Sequence, residues 1–346
     1  LPDQILEPIV DTLIIGAGPC GLACAIEASR NGLSHLILEK GSLCESIRRY
    51  PTHMKFFSTA ENLEIGGIPF TIAGVKPSRE EALQYYRKVA NYYRLHLRLF
   101  VQVQRVRKEA ELFLVETTQG KVYRARHVIN STGYFDVPRC LGIPGEFLPH
   151  VSKYYDEAFR YAYSKVVIVG AGNSAVEAAL DLYRHDVDVT ILHRGHELKP
   201  TAKYWLLPDI RNRIKEGKIR TLFHTEVRSI EPGRMHVENT LSGERQTLAA
   251  DFVFMLVGYT PDARLFEDSG VQFEEGTLIP VYNPETFETN VPGLYLCGTV
   301  VAGIRTEKVF IENGRDHARL IIRHILGLPP QETEAEIDAN VDVDEN

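Results

Sequence analysis

One stretch of this chain occurs twice in register, and that repeat restricts the possible folds more than any other feature of the sequence. Residues 10–41 carry an apolar run, then Gly16-Ala17-Gly18-Pro19-Cys20-Gly21, a helical stretch, and Leu36-Ile37-Leu38-Glu39. Residues 165–195 carry Val166-Val167-Ile168-Val169, then Gly170-Ala171-Gly172-Asn173-Ser174-Ala175, a helical stretch, and Val189-Thr190-Ile191-Leu192-His193. Gly16 matches Gly170, Gly18 matches Gly172, Glu39 matches His193 and Gly41 matches Gly195, always 154 residues apart. The copies therefore align without a gap. Each reads as a buried strand, a glycine turn, a helix and a second strand.

That succession has a physical purpose. The first glycine (Gly16, Gly170) allows a tight turn, and the second (Gly18, Gly172) lets backbone approach a pyrophosphate. The third position (Gly21, Ala175) lets helix pack closely on sheet. Amides at the helix starts, from Cys20 behind Pro19 in one copy and from Asn173-Ser174 in the other, then face negative phosphates. A single glycine triad would fit an ordinary turn, whereas two in matching contexts do not. The expectation is an α/β protein with two Rossmann-like, three-layer dinucleotide-binding domains.

The end of the second strand separates the two sites. Glu39, followed by Lys40, stands where a carboxylate accepts hydrogen bonds from ribose hydroxyls. The second copy has His193 there, followed by Arg194. An acid would repel a 2′-phosphate, whereas Arg194 binds one through a charge-assisted fork, and Lys199 adds a second positive charge. NADPH is therefore assigned to the second copy, and an adenine dinucleotide without that phosphate to the first.

Composition narrows the class further. The net charge of −7 is accounted for by the last 16 residues, which hold seven acids and no base, so the remaining body is neutral. A neutral body argues against nucleic acid as the main partner. The tail, 331–346, reads as disordered and solvating. No stretch approaches the roughly 18 apolar residues of a membrane span, and Leu1 to Val10 lacks the form of a signal peptide. The five cysteines are scattered, with no Cys-x-x-Cys. That pattern fits reduced thiols in a cytoplasmic protein. The twelve histidines offer no metal-ligand spacing, so no metal is expected. In the run Tyr85 to Arg94, Tyr85, Val89 and Tyr92 share a helical face expected to be core rather than a nucleic-acid platform.

Several segments resemble the two-dinucleotide flavoproteins that include thioredoxin reductases. They are Val128-Ile129-Asn130-Ser131-Thr132-Gly133, Phe254-Met255-Leu256-Val257-Gly258-Tyr259-Thr260-Pro261 and Val291-Pro292-Gly293-Leu294-Tyr295-Leu296-Cys297-Gly298-Thr299. The resemblance covers residues 8 to about 328 and implies FAD at the first site. It places Thr132, Gly133, Gly258, Gly298 and Thr299 among the cofactor contacts, with Val103 meeting adenine through backbone atoms. Thr299, a hydrogen-bonding group without charge, stands where that family usually has aspartate. The implied architecture is an FAD domain of residues 1–135 and 264–330 interrupted by an NADPH domain of residues 136–263.

The chain departs from thioredoxin reductases at their catalytic Cys-x-x-Cys. The corresponding segment is Val151-Ser152-Lys153-Tyr154-Tyr155-Asp156-Glu157-Ala158, with Tyr154 and Glu157 at the cysteine positions. Gly16 to Gly21 with Cys20 inside the motif, His53 to Gly66, and Phe310-Ile311-Glu312-Asn313-Gly314-Arg315 resemble the bacillithiol disulfide reductase family instead. That resemblance implies hydride transfer from NADPH to FAD, then two electrons to bacillithiol disulfide, a small-molecule partner, in a homo-oligomer. Cys20 is the candidate catalytic thiol. It has two readings: a redox thiol, or a small residue tolerated in a turn at the pyrophosphate end of FAD. A ferredoxin–NADP reductase or flavin monooxygenase of similar fold, and a non-enzymatic redox sensor, remain open alternatives.

Overall fold

A computed structural model describes residues 7–200, 202–303 and 308–329, so the acidic tail lies outside the described residues. The described chain divides into two compact units. One comprises residues 7–48, 58–137 and 260–329, and the other comprises Arg49–Phe57 and Pro138–Tyr259.

The first unit is organised by parallel strands. Leu97–Arg98, His35–Leu38, Val10–Ile15 and Val122–Asn130 lie side by side in that order, all parallel, and Leu294–Leu296 also pairs in parallel with Val122–Asn130. Leu112–Thr117 and Val103–Glu109 extend the sheet as an antiparallel meander. Leu13, Ile14, Ile37, Val128 and Ile129 are buried, as the near-continuous apolar runs of central parallel strands require. Helix Arg79–Tyr92 begins with a capping box between Ser78 and Glu81. Its buried face differs from expectation. Tyr85 and Val89 are buried as the spacing predicts, but Tyr92 is 71% exposed and Tyr86 is fully buried instead. Tyr92 is the helix's last residue, whereas Tyr86 donates to the Leu63 carbonyl at 3.0 Å.

The second unit has three layers. A parallel sheet runs in the order Arg220–Leu222, Asp188–Leu192, Lys165–Val169, Phe252–Met255, Val151–Ser152. Alternate residues of its central strand point to opposite faces. Val166 and Ile168 pack with helix Asn173–Tyr183, while Val167 and Val169 pack with Val227, Met235, Val237 and Leu248 of an antiparallel three-stranded sheet.

The unit boundaries fall after Val137 and Tyr259, against the expected 135 and 263, and one short segment changes sides. Arg49–Phe57 groups with the second unit. There Thr52 N–H donates to the Asp156 carbonyl at 2.9 Å, and Lys203 Nζ donates to the Lys55 carbonyl at 2.8 Å. Among the described residues, no helix is long and apolar enough to cross a membrane.

Candidate dinucleotide sites

In the first unit, the carboxyl ends of the parallel strands converge, which is where open α/β sheets bind ligands. Gly16 follows strand Val10–Ile15 at φ +106°, and a Cβ there would lie 2.7 Å from the Ser131 carbonyl oxygen. A Cβ on Gly21 would lie 2.0 Å from the Gly16 carbonyl oxygen, so helix Pro19–Arg30 sits too close for any side chain. Gly18 is the opposite case, with no atom within 4 Å of an added Cβ. Two of the glycines are required by the protein's own packing. The third faces open space, where a pyrophosphate would lie.

The helix that starts at this turn is built for an anion. Helix Pro19–Arg30 has no capping side chain and no acid in its first turn. Its N-terminal amides are therefore left for an external acceptor. Glu39 closes the other side of the turn: Oε2 accepts the Ala17 N–H and Oε1 the Gly41 N–H, both at 2.8 Å. The residue is 7% exposed, and its burial outweighs those bonds and raises its pKa. Each carboxylate oxygen keeps a further lone pair, which ribose hydroxyls could fill. Lys40 turns away and pairs with Asp136 at 2.9 Å. Val103 opens the meander two residues after Val101, whose N–H donates to the Glu39 carbonyl at 2.8 Å.

Strand ends 130–133 and 297–299 complete this site. Thr132 N–H donates to Asn130 Oδ1 at 3.1 Å, while Nδ2 of the fully buried Asn130 has no partner among the described residues. Gly133, at φ +71°, would place a Cβ 3.3 Å from Thr299 Oγ1. Gly298, at φ +78°, would place one 2.8 Å from Cys20 Sγ. Gly16, Gly18, Cys20, Gly21, Glu39, Gly133, Gly298 and Thr299 thus form one constellation. Its open glycine, uncapped helix and orphaned amide fit an adenine dinucleotide.

The second unit repeats the turn with different chemistry. Gly170, at φ +136°, would drive a Cβ to 2.2 Å from the Leu256 carbonyl oxygen. Gly172 is open, with only Lys199 Cδ nearby at 3.9 Å. Lys199 therefore lies beside the glycine turn, and its backbone N–H donates to the Ala171 carbonyl at 3.0 Å. Helix Asn173–Tyr183 also starts without a capping side chain or an acid in its first turn. Asn173 Oδ1 accepts the Lys203 N–H at 2.6 Å, and Ser174 is exposed. His193 and exposed Arg194 follow strand Asp188–Leu192. Burial, then the charges of Lys199 and Arg194, lower the His193 pKa, so the fixed charge at this strand end is arginine. Gly258, at φ +101°, accepts the Arg139 N–H at 2.9 Å through its carbonyl.

The model of the pyridine nucleotide-disulphide oxidoreductase family matches residues 13–298. A relative from Bacillus subtilis, "Bacilliredoxin reductase Bdr", is 40% identical over 316 residues, covering 90% of this chain and 96% of its own length. The solved structure of a bacillithiol disulfide reductase from Staphylococcus aureus is 39% identical with a TM-score of 0.89, covering 93% of this chain and 99% of the other. Its counterpart from Bacillus cereus is 38% identical with a TM-score of 0.90, covering 92% and 99%. This chain belongs to the bacillithiol disulfide reductase family. It is a flavoprotein oxidoreductase, and membership implies FAD and a nicotinamide dinucleotide as cofactors. The two glycine turns above have the chemistry to hold them.

The cysteines of this family member are not equivalent. All five are free thiols. Burial pushes the Cys44 and Cys297 thiols far up, which makes both inert at neutral pH. Cys20 is half-buried at the start of helix Pro19–Arg30, with its sulfur against Gly298 and Gly314. Tyr154 and Glu157, at the lost dithiol positions, have structural partners. Arg49 lies 4.3 Å over the Tyr154 ring, and Glu157 accepts the Phe159 N–H at 2.9 Å.

Three residues that shape these sites are singled out by no sequence pattern of their own, although Ser131 lies within the segment 128–133. Ser131 Oγ donates to the Ile15 and Gly16 carbonyls, each at 3.0 Å, and clamps the first turn. Buried Lys203 pairs with Glu177 behind the second. His317 accepts the Gly298 N–H from the last helix. The nearest hint for His317 is its place just after the Phe310 to Arg315 motif.

Proposed function

We propose that this chain uses NADPH to reduce bacillithiol disulfide to two bacillithiols. The observation that carries the choice of nucleotide is the contrast between strand ends. Glu39 closes the first turn, while Arg194 and Lys199 stand at the second. A 2′-phosphate would be repelled by the first and bound by the second. The substrate class follows from the S. aureus and B. cereus relatives, which are named for bacillithiol disulfide, and from the absence of a Cys-x-x-Cys.

FAD bound at the first turn supplies the two-electron relay between reduced nicotinamide and disulfide. The protein's own contribution is positional. Amides at residues 20–21 and 173–175 hold the pyrophosphates, Glu39 orients the first ribose, and Arg194 with Lys199 selects the phosphorylated nucleotide. Gly133, Gly298 and Thr299 border the flavin side. Cys20 is the thiol we assign to the substrate. Its thiolate attacks one sulfur of bacillithiol disulfide, forms a mixed disulfide and releases one bacillithiol thiolate. Two electrons, originating in NADPH, and a proton then free Cys20 and the second bacillithiol.

The test is a panel of electron acceptors offered anaerobically to the NADPH-reduced protein: bacillithiol disulfide, glutathione disulfide, oxidised ferredoxin and oxygen. Reoxidation by bacillithiol disulfide at least about tenfold faster than by the others is expected. Fast reoxidation only by ferredoxin or oxygen overturns the reading. The B. subtilis relative is named for bacilliredoxin, so oxidised bacilliredoxin forms a further arm. Reoxidation by bacilliredoxin but not by bacillithiol disulfide would transfer the assignment to it.

A further inference from the structure

The last helix reaches back to the turn that borders the proposed flavin site. His317 opens helix His317–Ile325 and is 9% exposed. Its Nδ1 accepts the backbone N–H of Gly298 at 3.2 Å, and its ring stacks on Phe287 with centroids 3.8 Å apart. Burial lowers its pKa to about 4, so the imidazole is neutral at physiological pH. With Nδ1 accepting, the proton resides on Nε2. Without His317 the Gly298 N–H would be a buried donor lacking a partner, which backbone rarely tolerates.

The turn it holds has little freedom. Gly298 lies at φ +78°, against Cys20 Sγ on one side. On another side Gly314 is so near that its own Cβ would lie 3.0 Å from Gly298 Cα. The same short stretch that carries Gly314 also fixes the neighbouring loop. Ser58 Oγ donates to Glu312 at 2.6 Å, and Arg315 donates to the Glu61 and Glu64 carbonyls. Gly298 leads directly into Thr299, whose Oγ1 faces Gly133. A displacement of the Gly298 amide therefore moves the border of the site.

We propose that His317 is a positioning residue that, through Nδ1, sets the Gly298–Thr299 turn in the geometry that binds FAD. The proposal rests on the flavin reading of the first site. The geometry separates two isosteric replacements. Asparagine carries an acceptor oxygen where Nδ1 stands, whereas glutamine carries its oxygen one bond further out, towards Nε2.

The experiment strips FAD from wild-type protein and from the His317→Asn, His317→Gln and His317→Leu variants. It then titrates FAD back by flavin fluorescence and records the thermal midpoint of each apoprotein. FAD affinity is expected to fall about tenfold or more in the Gln and Leu variants and to stay within about twofold in the Asn variant. Equal affinity in the Asn and Gln variants overturns the proposal, as does wild-type affinity in the Leu variant. Gln and Leu variants that both fail to fold would assign His317 to general stability and also overturn it. A wild-type protein that binds no FAD removes the flavin reading itself, an outcome distinct from failure of His317.

Discussion

Glu39 Oε2 accepts the Ala17 N–H at 2.8 Å across 22 residues of sequence, so the strand-end acid helps to build the glycine turn it faces. Its other oxygen holds Gly41 at the same distance. Both backbone partners are donors, and a carboxylate satisfies both because it only accepts. Glu39→Gln would set an amide NH₂ against one of them. FAD affinity, measured by titrating the apoprotein, is expected to fall at least about tenfold, since a buried donor is left unsatisfied. Unchanged affinity would remove Glu39 from the cofactor site.

The three glycines of the first turn should fail in different ways. Gly18 has open space where a Cβ would go and an extended, negative φ of −78°, so Gly18→Ala should fold normally. The added methyl would occupy the space assigned to pyrophosphate. The expected result is an apoprotein with the wild-type melting temperature and FAD occupancy reduced at least about tenfold. Gly21→Ala has no such latitude, because its Cβ would stand 2.0 Å from the Gly16 carbonyl oxygen. It should lower stability itself, by about 1–3 kcal/mol or more. Matching losses in both variants would contradict the assignment of Gly18 to the ligand.

Nucleotide preference tests the second site. Arg194 is exposed beside His193, and the charge at this strand end resides on Arg194 and Lys199 rather than on the histidine. Arg194→Ala is expected to lower kcat/KM for NADPH about 10–100-fold and to leave NADH nearly unchanged. Stopped-flow bleaching of the flavin by each nucleotide measures this directly. Equal rates with both nucleotides in the wild-type protein would overturn the NADPH assignment.

The glycine turns, both strand ends and the α/β class are legible in the sequence because they arise locally. A strand, a turn and a helix within about 30 residues leave a pattern of residue types at fixed spacing. Ser131, Lys203 and His317 act through partners that only the fold brings near, and no periodicity marks such contacts. The grouping of Arg49–Phe57 with the second unit is invisible for the same reason, since Thr52 finds Asp156 more than 100 residues away. Tyr92 illustrates the opposite error. Helical spacing assigns it to the buried face, but the helix ends there and the core does not extend to cover it.

Cys20 has a sequence position that suggests chemistry and surroundings that constrain it. Its sulfur fills the space between Gly298 and Gly314, so a mixed disulfide requires the side chain to rotate away from them. Alanine fits the same space without strain. Cys20→Ala should therefore bind FAD within about twofold of wild type and lose at least about tenfold in bacillithiol disulfide turnover. Full turnover in this variant would leave Cys20 as a packing residue.

Acid should expose the neutral state of His317. Its pKa in the folded protein is about 4, against 6.5 for the free side chain, and burial is the cause. Between those values the unfolded chain binds a proton that the folded chain refuses, so stability rises with pH across the window and is lost as pH falls from about 6.5 towards 4. At pH 5 the loss from this group is on the order of 2 kcal/mol. Asparagine does not titrate, so His317→Asn should remove that part of the acid sensitivity while other groups contribute equally to both proteins. Urea unfolding of both proteins at pH 7 and pH 5 measures the difference. The wild type should lose more stability between the two pH values than the variant, and identical losses would show that His317 takes up its proton as readily in the folded chain as in the unfolded one.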